Sequence, residues 1–173
     1  MDLDTTALGM QGSVRRIFKA APASQRLQDA LRGSWLGHPL HPVLTDAVTA
    51  GMTMAVVFDA LEVAGARTFR PAADASLAFA FAWTFPTALA GAADWQFAGE
   101  RARRIGMFHM AANAVSSLCT VISLNSRMRG RRRSGRMWAL AAFGTLNVGA
   151  YLGGELVYDE GMRVAHRTLS AEG

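Results

Sequence analysis

VLTDAVTAGMTMAVVFDALEVA, residues Val43–Ala64, runs for twenty-two residues without a lysine or arginine. At 1.5 Å per residue such a helix is about 33 Å long, enough for a hydrocarbon core of about 30 Å. Its apolar residues surround the helix and keep to no single face, as a water-soluble amphipathic helix would require. Three stretches of the same kind follow, Ala75–Trp95, Ile105–Ser126 and Met137–Tyr158. Short connections with turn and breaker residues join them: Gly65 to Pro71, Gly99 to Arg104, and Arg129 to Gly135. The pattern predicts an all-α, integral membrane up-down four-helix bundle.

The composition agrees. Of 173 residues 51% are apolar and only 18% charged, against about 25% charged in an ordinary globular domain. That apolar content excludes disorder, and Cys119, the lone cysteine, excludes a disulfide scaffold. The net charge of +5 does not point to nucleic acid, because the basic residues crowd between the apolar blocks, as membrane topology produces. The bilayer is the expected partner.

Residues 1–34 differ in kind from the four-span domain, 35–164, and from the tail, 165–173. No apolar run near Met1 reads as a cleavable signal. Ser24 reads as the cap of a short helix over Gln25–Arg32, and Arg15, Arg16 and Lys19 flank Ile17 and Phe18. The segment reads as an interfacial amphipathic helix on the headgroups, or as a basic tail.

For orientation, the side holding residues 1–42, the second loop and the C-terminus carries ten basic residues, Arg163 and Arg167 among them. The first and third loops carry eight. The dense run Arg127–Arg136 lies closest to span ends and marks the cytoplasmic side, leaving both termini outside, in a multi-pass protein of the inner (plasma) membrane. Its plain reading is a topology anchor, with anionic lipid the lesser one.

Acids inside a membrane are costly and signal function. In antiparallel order one end receives His38, His41 and Asp46 from the first span, and Asp94 with Trp95 from the second. His109 and Asn113 arrive from the third and Glu155 from the fourth. Trp35-Leu-Gly-His38-Pro39-Leu40-His41-Pro42 reads as a stiff hook, each proline forcing the histidine before it, His38 or His41, out of the helix, with Pro42 as the first helical residue. Asp59 and Glu62 lie at the other end and are read as snorkelling or pairing with Arg67.

Three uses fit the histidine end. A b-type haem would take one histidine from the hook and His109 opposite, with Asn113 and Trp95 beside it, giving His38, His41, His109, Asn113 and Trp95 as cofactor residues. A bare transition metal would draw on His38, His41, His109, Asp46, Asp94 and Glu155. A structural network with no cofactor uses the same groups to lock the loops. The chain reads as a redox or cofactor-binding subunit without its own substrate; the alternative is a structural or assembly protein.

Lesser features complete the reading. Gly149-Ala-Tyr-Leu-Gly153 and the repeat Ala47, Gly51, Ala55 permit close helix approach, within the chain or in a homo-oligomer. Pro86 should break a hydrogen bond to Ala82, with Thr84 and Thr87 compensating.

The motifs Gly37-His38-Pro39-Leu40-His41-Pro42 with Asp46, Phe58-Asp59, Gly91-x-x-Asp94-Trp95, His109 with Asn113, and Tyr151-Leu-Gly-Gly-Glu155-Leu-Val-Tyr158 ahead of Gly161 resemble a family of bacterial membrane proteins, domain of unknown function 2231 (DUF2231). The resemblance implies four transmembrane helices. It also implies electron transfer, since members are sometimes joined to a Rieske-type iron–sulfur domain. This chain has no Rieske Cys/His pairs, so such a partner would be a separate chain. Members can carry His where this chain has Glu155.

Overall fold

A computed structural model describes residues 2–20 and 24–162. The expected tail 165–173, Arg163, Arg167 and the side chain of Ser24 lie outside the described residues. The described residues form helices and no strands: α1 (Leu3–Ala20), α2 (Ser24–Leu31), α3 (Leu40–Val63), α4 (Arg70–Trp95, after a 3-10 turn Arg67–Phe69), α5 (Glu100–Met128) and α6 (Arg132–Tyr158). The four long helices cover the four expected spans, except that α3 ends at Val63 with Ala64 as its cap, and each begins three to five residues ahead of its span. Five residues of α5 precede Ile105, because Gly99 is the first residue that leaves helical geometry.

α3, α4 with its leading turn, and α5 are each long and apolar enough to cross a membrane. The chain is a membrane protein with three such helices among the described residues. The fourth expected span falls short of that apolar content: Asn147, Thr145 and the glycines at 144, 149, 153 and 154 dilute α6.

α3 pairs with α4 and α5 with α6, each pair packed closely; the two hairpins touch each other sparsely, α4 on α5 and α3 on α6. The core between them is made of small side chains, with Ala55, Ala80, Ala139 and Ala142 fully buried around Leu77 and Met52. Large apolar groups such as Val57, Phe85, Leu118 and Val148 point outward instead. Small residues inside and large ones outside suit a solvent of lipid tails, where close backbone approach replaces the hydrophobic effect. Gly51 sits against Ser76, Phe79 and Ala80, so the small-residue stripe of α3 is used to seat α4.

The hook is not as expected. α3 begins at Leu40, so His41 and Pro42 both lie in its first turn and Pro39 precedes the helix. The bias of a pre-proline residue away from the helix is overcome here. In the first turn the missing N–H of Pro42 removes no helical bond. His41 is thereby aimed by the helix and separated from His38, which stays in the exposed turn.

At the far end the arginines turn inward. Arg127 is buried and grips both carboxylate oxygens of Asp59 on α3, and Asp74 on α4 at 2.8 Å. Arg132 bonds Asp74 and, at 2.8 Å, Glu62, which also takes Arg70 at 2.6 Å and Arg136 at 3.1 Å. Asp59 and Glu62 therefore neither snorkel nor pair with Arg67. They bind the arginines of the third loop, which antiparallel order delivers to the same level. This clamp ties all four long helices at one end.

α1 has no counterpart in the expected short helix, while α2 falls one residue from it. Its Gln11 amide donates to the carbonyls of Trp95 and Ala98 at 3.0 Å, and Arg15 donates to that of Gln96 at 2.6 Å. These carbonyls belong to the last residue of α4 and the turn after it, where the Trp95 carbonyl also accepts from the Ala98 N–H at 2.9 Å. Thus α1 caps α4, with Ala7, Gln11 and Phe18 buried against the bundle.

At Pro86 the hydroxyls do not compensate Ala82: Thr84 donates to the Ala80 carbonyl and Thr87 to that of Trp83, each one turn back. An i to i−4 bond is the reach a helical threonine has.

Candidate functional site

Where the two hairpins diverge, a cavity of about 510 Å³ opens between them, within the size range of small-molecule and cofactor sites. His41, Asp94, Trp95, His109 and Asn113 are in its wall, with Met52, Met110, Leu146 and Leu156. His41 comes from the start of α3 and His109 from the third turn of α5, and their ring centroids are 6.1 Å apart at 76°.

Both imidazoles are held the same way. Nδ1 of His41 lies 2.9 Å from the Thr87 carbonyl of α4, and Nδ1 of His109 lies 2.8 Å from the Gly149 carbonyl of α6. A carbonyl only accepts, so Nδ1 carries the proton and the neutral ring keeps its lone pair on Nε2. This is the arrangement in which a backbone carbonyl orients a metal-ligating histidine. Asn113, one turn beyond His109, donates at 2.8 Å to the His109 carbonyl and rests its amide 3.3 Å from Nε2.

Glycines make this placement possible. A Cβ at Gly91 would lie 2.9 Å from the His41 ring, at Gly153 3.2 Å from that of His109, and at Gly149 2.7 Å from the Asn113 amide. At Gly106 it would lie 2.3 Å from the Trp95 indole nitrogen. The GxxxG of α6 is therefore a pair of seats for Asn113 and His109 within the chain. Gly106→Ala should displace the indole, break its 3.2 Å bond to the Arg103 carbonyl and lower stability by about 1–3 kcal/mol, the usual range for overpacking. Denaturant titration in detergent measures it.

The cavity wall accepts hydrogen bonds more than it donates them. Thr45, Thr84, Thr87, Ser116, Ser117 and Thr120 all donate to backbone carbonyls, as do Trp95 and both Nδ1 atoms. The polar capacity that remains in the wall is mostly lone pairs, those of the hydroxyls, the Asp94 carboxylate and imidazole Nε2, with the Asn113 amide beside Nε2 of His109. They suit a Lewis acid or a ligand bearing donors.

The remaining expected residues lie elsewhere. His38 and Asp46 are exposed and Glu155 is half-buried outside the cavity wall. Among the described residues no three His, Cys, Asp or Glu side chains are placed to hold a metal. The six-residue metal set is thus not assembled, and helical phase explains it. Asp46 follows His41 by five residues, a turn of about 140°, and Glu155 follows Gly153 by two, about 200°. Asp94 is buried in the wall, 3.6 Å from Arg32, whose guanidinium lies 4.5 Å over the Phe97 ring. The sequence did not single out Arg32, Gln11 or the seat at Gly106 for this site, and it marked Gly91 only as part of a family motif. Small residues one helix across from a bulky polar one were the available signal.

No curated protein and no solved structure matches the chain. A family profile described as "predicted membrane protein (DUF2231)" matches residues 37–166, from the hook to beyond the end of α6. That span covers well over half of the sequence, and the chain belongs to this family.

Proposed function

We propose that this membrane protein is a redox or cofactor-binding subunit whose cavity takes a b-type haem between His41 and His109. The reading rests above all on the paired imidazoles, each with Nδ1 fixed on a neighbouring helix so that the lone pair is on Nε2. Two side chains suffice for a haem, because the macrocycle supplies the other ligands, whereas a bare metal needs a third or fourth. When bound, the iron would supply one-electron chemistry. Asn113 would turn its amide from Nε2 while keeping its bond to the His109 carbonyl. Trp95, Met110 and Leu156 would exclude water, and the electron partner would be a separate iron–sulfur or other redox protein.

The visible spectrum of detergent-purified protein tests this. A Soret band with haem near one per chain is the expected result, and a colourless protein expressed with ample haem overturns it.

A second reading, structural or assembly, draws on the same bonds. His41 links α3 to α4 and His109 links α5 to α6, a service that needs no cofactor. On this reading His109→Gln, able to donate to the Gly149 carbonyl, costs on the order of 1–3 kcal/mol at most and changes no spectrum.

All four long helices cross the inner membrane on this proposal, with α6 sheltered by α5 and α3. The arginine turns face the cytoplasm and the termini lie outside. A reporter fused after Gly173 should then behave as extracytoplasmic, and a cytoplasmic signal reverses the orientation. Homo-oligomerisation through Gly149 and Gly153 would have to compete with Asn113 and His109 for the same surface.

A further inference from the structure

Among the described residues the net positive charge lies at one end. The end with the clamp holds eight arginines, at 67, 70, 127, 129, 131, 132, 133 and 136, against three carboxylates, Asp59, Glu62 and Asp74. All three carboxylates are engaged by Arg70, Arg127, Arg132 and Arg136. That leaves Arg67, Arg129, Arg131 and Arg133 exposed with no ion pair among the described residues. At the cavity end the described basic and acidic residues nearly cancel.

The four free arginines sit on two turns that are stitched together, since Arg132 donates to the Arg70 carbonyl at 3.2 Å across them. Gly130, with φ +71°, reverses the chain between Arg129 and Arg131. Met128 and Met137, 81% and 62% exposed, flank the arginines on the span side. With all four long helices spanning as proposed above, guanidinium groups at these helix ends, with methionines on the span side, fall at headgroup depth. A guanidinium pairs with a phosphate through two parallel hydrogen bonds.

We propose that Arg129, Arg131 and Arg133, with Arg67, form a docking surface for the phosphate headgroups of anionic phospholipids. The split of the run carries this: its other three arginines are consumed inside the bundle, so the exposed three serve neither fold nor clamp. A topology signal needs positive charge during insertion only, whereas a fixed, acid-free array remains charged in the finished protein.

The test is native mass spectrometry of the full chain in neutral detergent with phosphatidylglycerol or phosphatidylcholine. Each basic residue near an anionic surface contributes about fivefold in affinity. Replacing Arg129, Arg131 and Arg133 by Gln should therefore weaken phosphatidylglycerol binding on the order of a hundredfold. Removing as many charges from the other end, with Gln at Arg101, Arg103 and Arg104, two of which are paired with acids, should leave it unchanged. Binding by the parent should weaken with salt and persist in millimolar inorganic phosphate. The proposal is overturned if both triple variants lose binding alike, if phosphatidylcholine binds as well, or if the parent's preference ignores salt. Displacement by free phosphate would likewise overturn it in favour of a soluble anion.

Discussion

Arg127→Met should destabilise the protein by about 3–5 kcal/mol, the range for breaking a buried ion pair. The substitution leaves Asp59 buried and charged, with only Arg132 at 3.6 Å in reach, and frees Ser123 of its 3.2 Å bond from the guanidinium. A methionine cannot answer two carboxylates on two helices. The double variant Arg127→Met with Asp59→Leu should recover much of the loss, since a packed apolar pair removes the uncompensated charge. Titration from mild detergent into dodecyl sulfate, followed by circular dichroism, measures both. A loss under about 1 kcal/mol for the single variant would show that water reaches the clamp.

On the haem reading proposed above, His109→Gln should abolish haem content while leaving the bundle assembled. An iron–imidazole bond is directed and strong, and no amide replaces it. A glutamine can still donate to the Gly149 carbonyl, so the link from α5 to α6 survives in part. His41→Gln should do the same from the other hairpin, and His38→Gln should change nothing, because that ring lies outside the cavity. The measurement is haem per chain from the absorption spectrum, with helicity checked in parallel. Full haem in His109→Gln would remove this residue from the site.

Much of the architecture is legible in the chain because it depends on local properties. Length and apolar content mark the long helices, and short connections make them antiparallel. From that order alone, His41, Asp94, Trp95 and His109 belong at one end and Asp59, Glu62 and Asp74 at the other. What escapes is phase and partner. Whether Asp46 shares the cavity with His41 depends on where α3 starts, and the proline bias suggested a start two residues too late. The pairing of Arg127 with Asp59 crosses 68 residues, and an arginine beside a loop reads equally as a topology marker. α1 is obscured by Thr5, Thr6, Gly9 and Gly12, poor helix formers that the carbonyls at the end of α4 compensate through Gln11 and Arg15.

The clamp holds one end, and the short turn from α4 to α5, with Trp95 bonded to the Arg103 carbonyl, closes one side of the other, so the two hairpins form levers hinged along α4 and α5. His41 lies eighteen residues from Asp59 along α3, about 27 Å of helix. Pivoting one hairpin about the clamp by about 3° would part the jaws by roughly 1.4 Å over that arm. No contact inside either hairpin need break. The sparse seam between α3 and α6 would then act as a slit, widening sideways into the lipid, while the α4 and α5 side stays tied. Hydrogen exchange should follow the same gradient, slowest at the fulcrum around Ser123 and fastest at the tips that carry the imidazoles.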